Sequence, residues 1–147
     1  MGYYKDEKST RGTLDENGFL HTGDLGSVDD EGFIYLTGRL KELIITAGGE
    51  NVPPLLLESL IKQELPGAIS NCMVIGDRRK FLSCLVCLTT TRNKEDDQPT
   101  NLLAPEVLRL IQPLGSRSVT TQEAQEDSIV NGLLKQVFER TNQKTIS

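Results

Sequence analysis

The residues able to do chemistry in this chain crowd into one stretch. Leu20-His-Thr-Gly-Asp-Leu-Gly26 is followed shortly by Tyr35-Leu-Thr-Gly-Arg-Leu-Lys-Glu-Leu-Ile-Ile-Thr-Ala-Gly-Gly-Glu-Asn-Val-Pro-Pro54. This brings a carboxylate (Asp24), a guanidinium (Arg39), an amine (Lys41) and a glycine pair (Gly48, Gly49) close together in sequence. Taken singly they are ordinary: a turn aspartate after Gly23, a surface ion-pair arginine, a solvated lysine and a glycine turn. The standard catalytic patterns are missing. There is no phosphate-cradling Gly-x-x-x-x-Gly-Lys loop, no Gly-x-Ser-x-Gly elbow and no His-Glu-x-x-His. The one histidine, His21, has no nucleophile context that would make it part of a triad.

Cys84-Leu-Val-Cys87 has the spacing of a zinc knuckle or a redox pair. It lies, however, inside the alternating run Phe81–Leu88, which reads as a strand, and an offset of three on a strand points the two sulfurs to opposite faces. Cys72, Cys84 and Cys87 are therefore expected to be buried structural thiols, with no metal site.

The elements that must position these groups follow from periodicity. The first forty residues read as β, with segments at 19–25 and 33–37 around the turn Asp29-Asp30-Glu31-Gly32, hence a hairpin. An apolar run over 40–46 stops at Ala47-Gly48-Gly49. Pro53-Pro54 then opens a helix carrying Leu55, Leu56, Leu60 and Ile61, which Pro66-Gly67 ends. Strands over 70–75 and 81–89 flank the charged turn Gly76–Lys80, and the polar run 90–102 reads as a surface loop. A helix over 105–114 is spoiled at its end by Pro113. A longer helix over 121–142 opens with the capping box Thr120-x-x-Glu123 and carries Ile129, Leu133, Leu134, Val137 and Phe138 on one face. A lone hairpin cannot bury its own apolar face, and the last helix simply stops at Ile146-Ser147. The chain reads as a piece of something larger, jointed near residue 40.

The 147 residues are about one domain's worth, and their formal charge is −5 with no basic block, which argues against nucleic acid as a partner. No apolar run approaches the roughly 20 residues needed to span a bilayer. The N-terminus lacks an apolar signal segment, and Asp6 breaks the myristoylation pattern that Met-Gly begins. Few cysteines and no glycosylation sequon fit a reducing, cytoplasmic setting.

The order of the motifs carries a resemblance. Thr22-Gly23-Asp24, then Gly38-Arg39-x-Lys41-Glu-x-Ile and Gly48-Gly49-x-Asn-Val-x-Pro54, resembles the adenylate-forming acyl-CoA synthetases. The extra residue in the glycine loop and the wording Gly-Glu-Asn-Val-Pro-Pro look closest to the bubblegum-type (lipidosin) long-chain fatty acid CoA ligases. The likeness continues through Ile69-Ser-Asn-x-Met-Val-Ile-Gly-Asp-x-Arg-Lys-Phe-Leu-Ser83.

That resemblance implies an α+β fold: the terminal hairpin of a large AMP-binding domain (1–40, incomplete), then a small mixed sheet packed with helices (41–147), the C-terminal lid domain without its final segment. It implies that Asp24 grips the adenosine ribose, where a charge-assisted hydrogen bond is about twice as strong as a neutral one. Arg39 would contact the nucleotide with its fixed cationic fork. Lys41 would be the hinge about which the small domain turns, and Gly48 and Gly49 would line the pantetheine tunnel, where glycine lets backbone approach a ligand closely. Glu58 is read as structural, and neither Lys135 nor Lys144 is assigned the family's adenylation role. The implied substrates are fatty acid, ATP and CoA, with Mg2+ held mainly by the missing domain. Peripheral attachment to an intracellular membrane would suit the lipid substrate. Two alternatives stand beside this: a short non-catalytic regulatory or binding module docking through the hairpin face, and the C-terminal region of another adenylate-forming ligase.

Overall fold

A computed structural model describes residues 2–145. The expected stop of the last helix at Ile146-Ser147 lies outside the described residues. The class is α+β: among the described residues five α-helices and two 3-10 turns alternate with strands that pair as four separate two-stranded antiparallel sheets.

The first forty residues are not all β. Helix α1 (Glu7–Thr13) forms where no apolar stripe announces one. Its warrant is local. Asp6 caps it, accepting the Ser9 N–H at 2.9 Å and the Ser9 hydroxyl at 2.7 Å, and Arg11 pairs with Glu7 one turn back. It buries nothing. The expected hairpin follows as β1 (Asp24–Val28) and β2 (Ile34–Arg39). Its turn is set by the Asp29 side chain, which accepts the N–H groups of Glu31 and Phe33, and by Gly32 at φ +88°. The segment 19–23 contributes only one bridge, Leu20 to Leu14, so β1 starts later than the aromatic run suggests.

A 3-10 turn (Leu40–Glu42) leads to the short pair β3 (Ile44–Ile45) and β4 (Asn51–Val52), and then to helix α2 (Pro54–Glu64). Of the residues read at helical spacing on α2, Ile61 is buried, Leu60 is half-buried, and Leu55 and Leu56 are exposed; Leu57 and Leu65 pack with Ile61. The inward face of α2 is set by Leu57, Ile61 and Leu65, at helical spacing. Helix α2 covers the hairpin of β5 (Ile69–Ile75) and β6 (Ser83–Leu88), and the Glu58 carboxylate accepts the Val74 N–H at 2.9 Å on the open edge of β5. Glu58 thus has the structural place expected of it.

The run 90–102 is not a loop. It folds into β7 (Thr90–Arg92) and β8 (Pro99–Leu103), stapled by the Thr91 and Thr100 hydroxyls at 2.6 Å. Threonines carry this hairpin, and threonine is a good strand residue despite its polarity. Helix α3 (Pro105–Ile111) passes at Pro113 into a 3-10 turn, as expected.

The single helix expected over 121–142 is two, α4 (Thr121–Glu126) and α5 (Ser128–Thr145). The capping box at Thr120 and Glu123 is present. The break falls at Asp127, which is extended (φ −76°, ψ 117°). Its carboxylate accepts the hydroxyls of Ser116 and Ser118 at 2.6 and 2.7 Å and the Ile129 N–H at 2.8 Å. An aspartate that starts a helix this way competes with continuing the previous one. The core gathers Ile61, Leu65, Ile69 and Cys72 with Leu103, Val107, Ile111 and Val137. The ends of α2 and α5 are tied by Glu64, 9% exposed, which takes Arg140 at 2.6 Å and Lys144 at 2.5 Å.

Candidate functional site

Asp24 and Arg39 are direct partners in the β1–β2 register. The Arg39 Nε lies 3.4 Å from Asp24 Oδ1, with the Arg39 side chain 68% exposed. In stability such a surface pair is worth about 1 kcal/mol at most. Its setting is less ordinary. The ladder shifts register between Leu25 and Gly26, immediately after Asp24, and bulges of this kind re-aim neighbouring side chains. On the other side Gly23 stands at φ +79°, a conformation glycine adopts without strain, and its carbonyl accepts the Leu40 N–H at 2.8 Å. The pair opens onto a cleft of about 340 Å3 whose far wall is Leu55, Leu56 and Ser59 of α2. Both leucines are exposed, and they line this cleft.

Lys41 sits in the 3-10 turn between β2 and β3, exposed to solvent. It is the middle residue of the only segment joining the hairpin to the β3–β4 pair. Gly48 and Gly49 form the turn of that pair. Gly49 adopts φ +83°, its N–H donates to the Thr46 carbonyl at 2.9 Å, and the Thr46 hydroxyl accepts the Glu50 N–H at 3.2 Å.

The glycine turn does not wave freely. The turn between β5 and β6 grips its base: the Ile45 N–H donates to the Asp77 carboxylate at 3.2 Å, the Arg78 N–H to the Ile45 carbonyl at 2.7 Å, and the Ala47 N–H to the Arg79 carbonyl at 3.0 Å. Sequence reading found the glycines but not this support, since the partners are some thirty positions apart and nothing local marks Asp77. Asp24 and Arg39 are thus brought together, Lys41 follows them directly, and Gly48 and Gly49 are held on a separate element.

The other chemistry-bearing residues are structural. The His21 ring lies 3.2 Å from Asp15, whose carboxyl is held below its usual value chiefly by the Phe19 N–H. The three cysteines are free. Cys84 and Cys87 do face opposite sides of β6, but of the three thiols expected to be buried only Cys72 is; Cys84 is half-buried and Cys87, on the outer face of β6, is exposed. Burial, the largest effect, pushes the Cys84 thiol up to about 11, and Cys72 is shifted upward for the same reason. Among the described residues no group of three or more His, Cys, Asp or Glu could hold a metal ion.

Residues 41–147 match the family described as AMP-binding enzyme C-terminal domain. The chain belongs to that family. Its relatives name an enzyme class. The chain is 49% identical over 144 residues to the long-chain-fatty-acid–CoA ligase ACSBG1 of Rattus norvegicus, and 42% identical over 149 residues to ACSBG2 of Xenopus laevis. These alignments cover 97% and 100% of this chain but 20% of each relative, so the chain spans about a fifth of their length. Among solved structures, the adenylation domain of a carboxylic acid reductase from Segniliparus rugosus, in complex with AMP, superposes with a TM-score of 0.61 over 98% of this chain and 18% of that one. At 21% identity this likeness speaks for the fold of an AMP-binding C-terminal domain alone. No helix among the described residues is long and apolar enough to cross a membrane.

Proposed function

We propose that this AMP-binding C-terminal domain and the hairpin before it serve a long-chain fatty acid CoA ligase. Residues 1–40 are then the end of the large domain and 41–147 the lid. The observation that carries the reading is the in-register Asp24–Arg39 pair at the mouth of a cleft, directly followed by Lys41, in a chain 49% identical to a ligase of that kind.

In the whole enzyme a fatty acid carboxylate attacks the α-phosphorus of ATP, giving acyl-AMP and releasing pyrophosphate. The CoA thiol then attacks the acyl carbon and AMP leaves. Asp24 accepts hydrogen bonds from the ribose hydroxyls, and Arg39 turns from its exposed ion pair to the nucleotide oxygens. Lys41 is the point about which the small domain rotates between the two steps, a role suited to a short exposed connector that can absorb φ/ψ changes. Gly48 and Gly49 offer bare backbone beside the path of the thiol. These 147 residues then act only together with the large domain, which would carry the phosphate-gripping loop and the fatty-acid tunnel. The setting is cytoplasmic, with the enzyme peripheral to the membrane that supplies its lipid.

The test is a chimera in which this chain replaces the matching fifth of rat ACSBG1. It should form acyl-CoA from a long-chain fatty acid, and Asp24→Ala should raise its KM for ATP at least about tenfold, the loss of a hydrogen bond to a charged group. A folded chimera without activity would overturn the reading in favour of a non-catalytic binding module.

A further inference from the structure

Thr22 is part of the motif that singled out this region, yet no role attaches to it. The structure gives it one contact of consequence: its Oγ1 accepts the Asp24 N–H at 3.1 Å. This bond closes a small turn over Gly23, the residue at φ +79° and the one in the segment with the widest conformational choice. Three restraints then converge on Asp24 and the turn before it. The Thr22 hydroxyl fixes the backbone of Asp24 from in front. The Leu40 N–H, bonded to the Gly23 carbonyl at 2.8 Å, ties the same turn to the first residue of the 3-10 segment that carries Lys41. The Arg39 guanidinium, 3.4 Å away, holds the carboxylate itself. When Arg39 leaves for a nucleotide, the ion pair is lost, and Asp24 keeps its place in the ladder, the Gly23–Leu40 bond and the Thr22 hydroxyl, the one of these made by a side chain.

We propose that Thr22 is a positioning residue. Its hydroxyl presets the Asp24 carboxylate for the two ribose hydroxyls of a nucleotide and, through Gly23 and Leu40, couples that carboxylate to the Lys41 connector. The inference rests on the ligase reading above. It predicts that the threonine is needed for its oxygen and not for its shape or volume, because the residue is exposed and packs no core.

Thr22→Val keeps the shape and removes the acceptor, whereas Thr22→Ser keeps the acceptor and removes the methyl. In the ACSBG1 chimera, Thr22→Val should raise the KM for ATP about five- to tenfold, the effect of one lost hydrogen bond. The KM for fatty acid should stay within about twofold, and the unfolding midpoint should not move. Thr22→Ser should restore the ATP value. Thr22→Val with an unchanged ATP KM, or a serine variant no better than the valine one, overturns the role of Thr22. An Asp24→Ala variant run beside them separates the two levels. If Asp24→Ala is damaged and Thr22→Val is not, only the positioning role fails. If neither is damaged, the nucleotide reading itself fails.

Discussion

The hairpins β1–β2 and β5–β6 are alike in length and in their antiparallel ladders, with strands of five to seven residues each. Their fates differ. In β5–β6 the inward residues Ile69, Cys72 and Val74 are buried under α2, whereas in β1–β2 Ile34, Tyr35, Leu36 and Val28 are all exposed, Leu36 at 76%. The contrast extends along the chain: among the described residues none before Ile44 is buried, and the whole core lies from Ile44 onward. Pairing two strands needs only a good turn and β-forming side chains. Burying one face needs a second layer, which α2 and α5 supply for one hairpin; α2 meets β2 only across an open cleft, and no described residue of β1–β2 is buried. Among the described residues, the region holding Asp24 and Arg39 is therefore the one that contributes nothing to the buried core.

That comparison can be broken. The largest effect belongs in the core: Ile111→Ala, at a residue 2% exposed, should cost about 3 kcal/mol of unfolding free energy in denaturant titration. Leu36→Ala should stay within about 0.5 kcal/mol by the same measurement. Equal losses at the two positions would mean that the hairpin has a core partner after all.

Acid should next weaken the joint of the core-bearing region. Lys144 first, then Arg140, hold the Glu64 carboxyl below its ordinary 4.5, and the Ser116 and Ser118 hydroxyls hold Asp127 below 3.8. Both groups are lowered on folding, so the stability they add is complete above about pH 4.5 and drains as pH falls through the folded values. Unfolding midpoints measured from pH 6 to pH 3 should drop, and the drop should be shallower in Glu64→Gln and Asp127→Asn. An unchanged slope in both variants would remove those contacts from the account.

Thiol labelling offers a finer readout. Cys87 is exposed, while Cys72 is buried and Cys84 is pushed up to about 11, where little thiolate exists near neutrality. Alkylation at pH 8 followed by peptide mass spectrometry should modify Cys87 well before the other two, and simultaneous labelling would mean that β6 opens from α5 in solution. The smallest effect is expected at the candidate site: Arg39→Gln should change stability by less than about 1 kcal/mol, since the pair is at the surface. A larger loss would make Arg39 a structural residue rather than a reserve for a ligand.

How much was legible can be read from particular elements. The turn at Asp29–Gly32, the α2 start at Pro54, the Thr120–Glu123 box and the Pro113 break were all visible in the sequence because each is decided by contacts within four residues. Helix α1 went unseen because its only signal is the Asp6–Ser9 cap, without an apolar stripe. The β7–β8 hairpin went unseen because its ladder is built of threonines, which resemble loop residues in composition. The split at Asp127 went unseen because its cause lies with Ser116 and Ser118 on another element.

At the candidate site the same division holds. By itself the sequence named Asp24, Arg39, Lys41 and the glycine pair, and their order was enough to suggest the family. Residue type and local turn chemistry are written in the chain. Only the tertiary structure decided that Asp24 and Arg39 face one another in register, that Leu55 and Leu56 line a cleft beside them, and that Asp77 and Arg79 anchor the glycine turn. Each depends on segments far apart in sequence, where the choice of which face to bury is settled by all the neighbours at once.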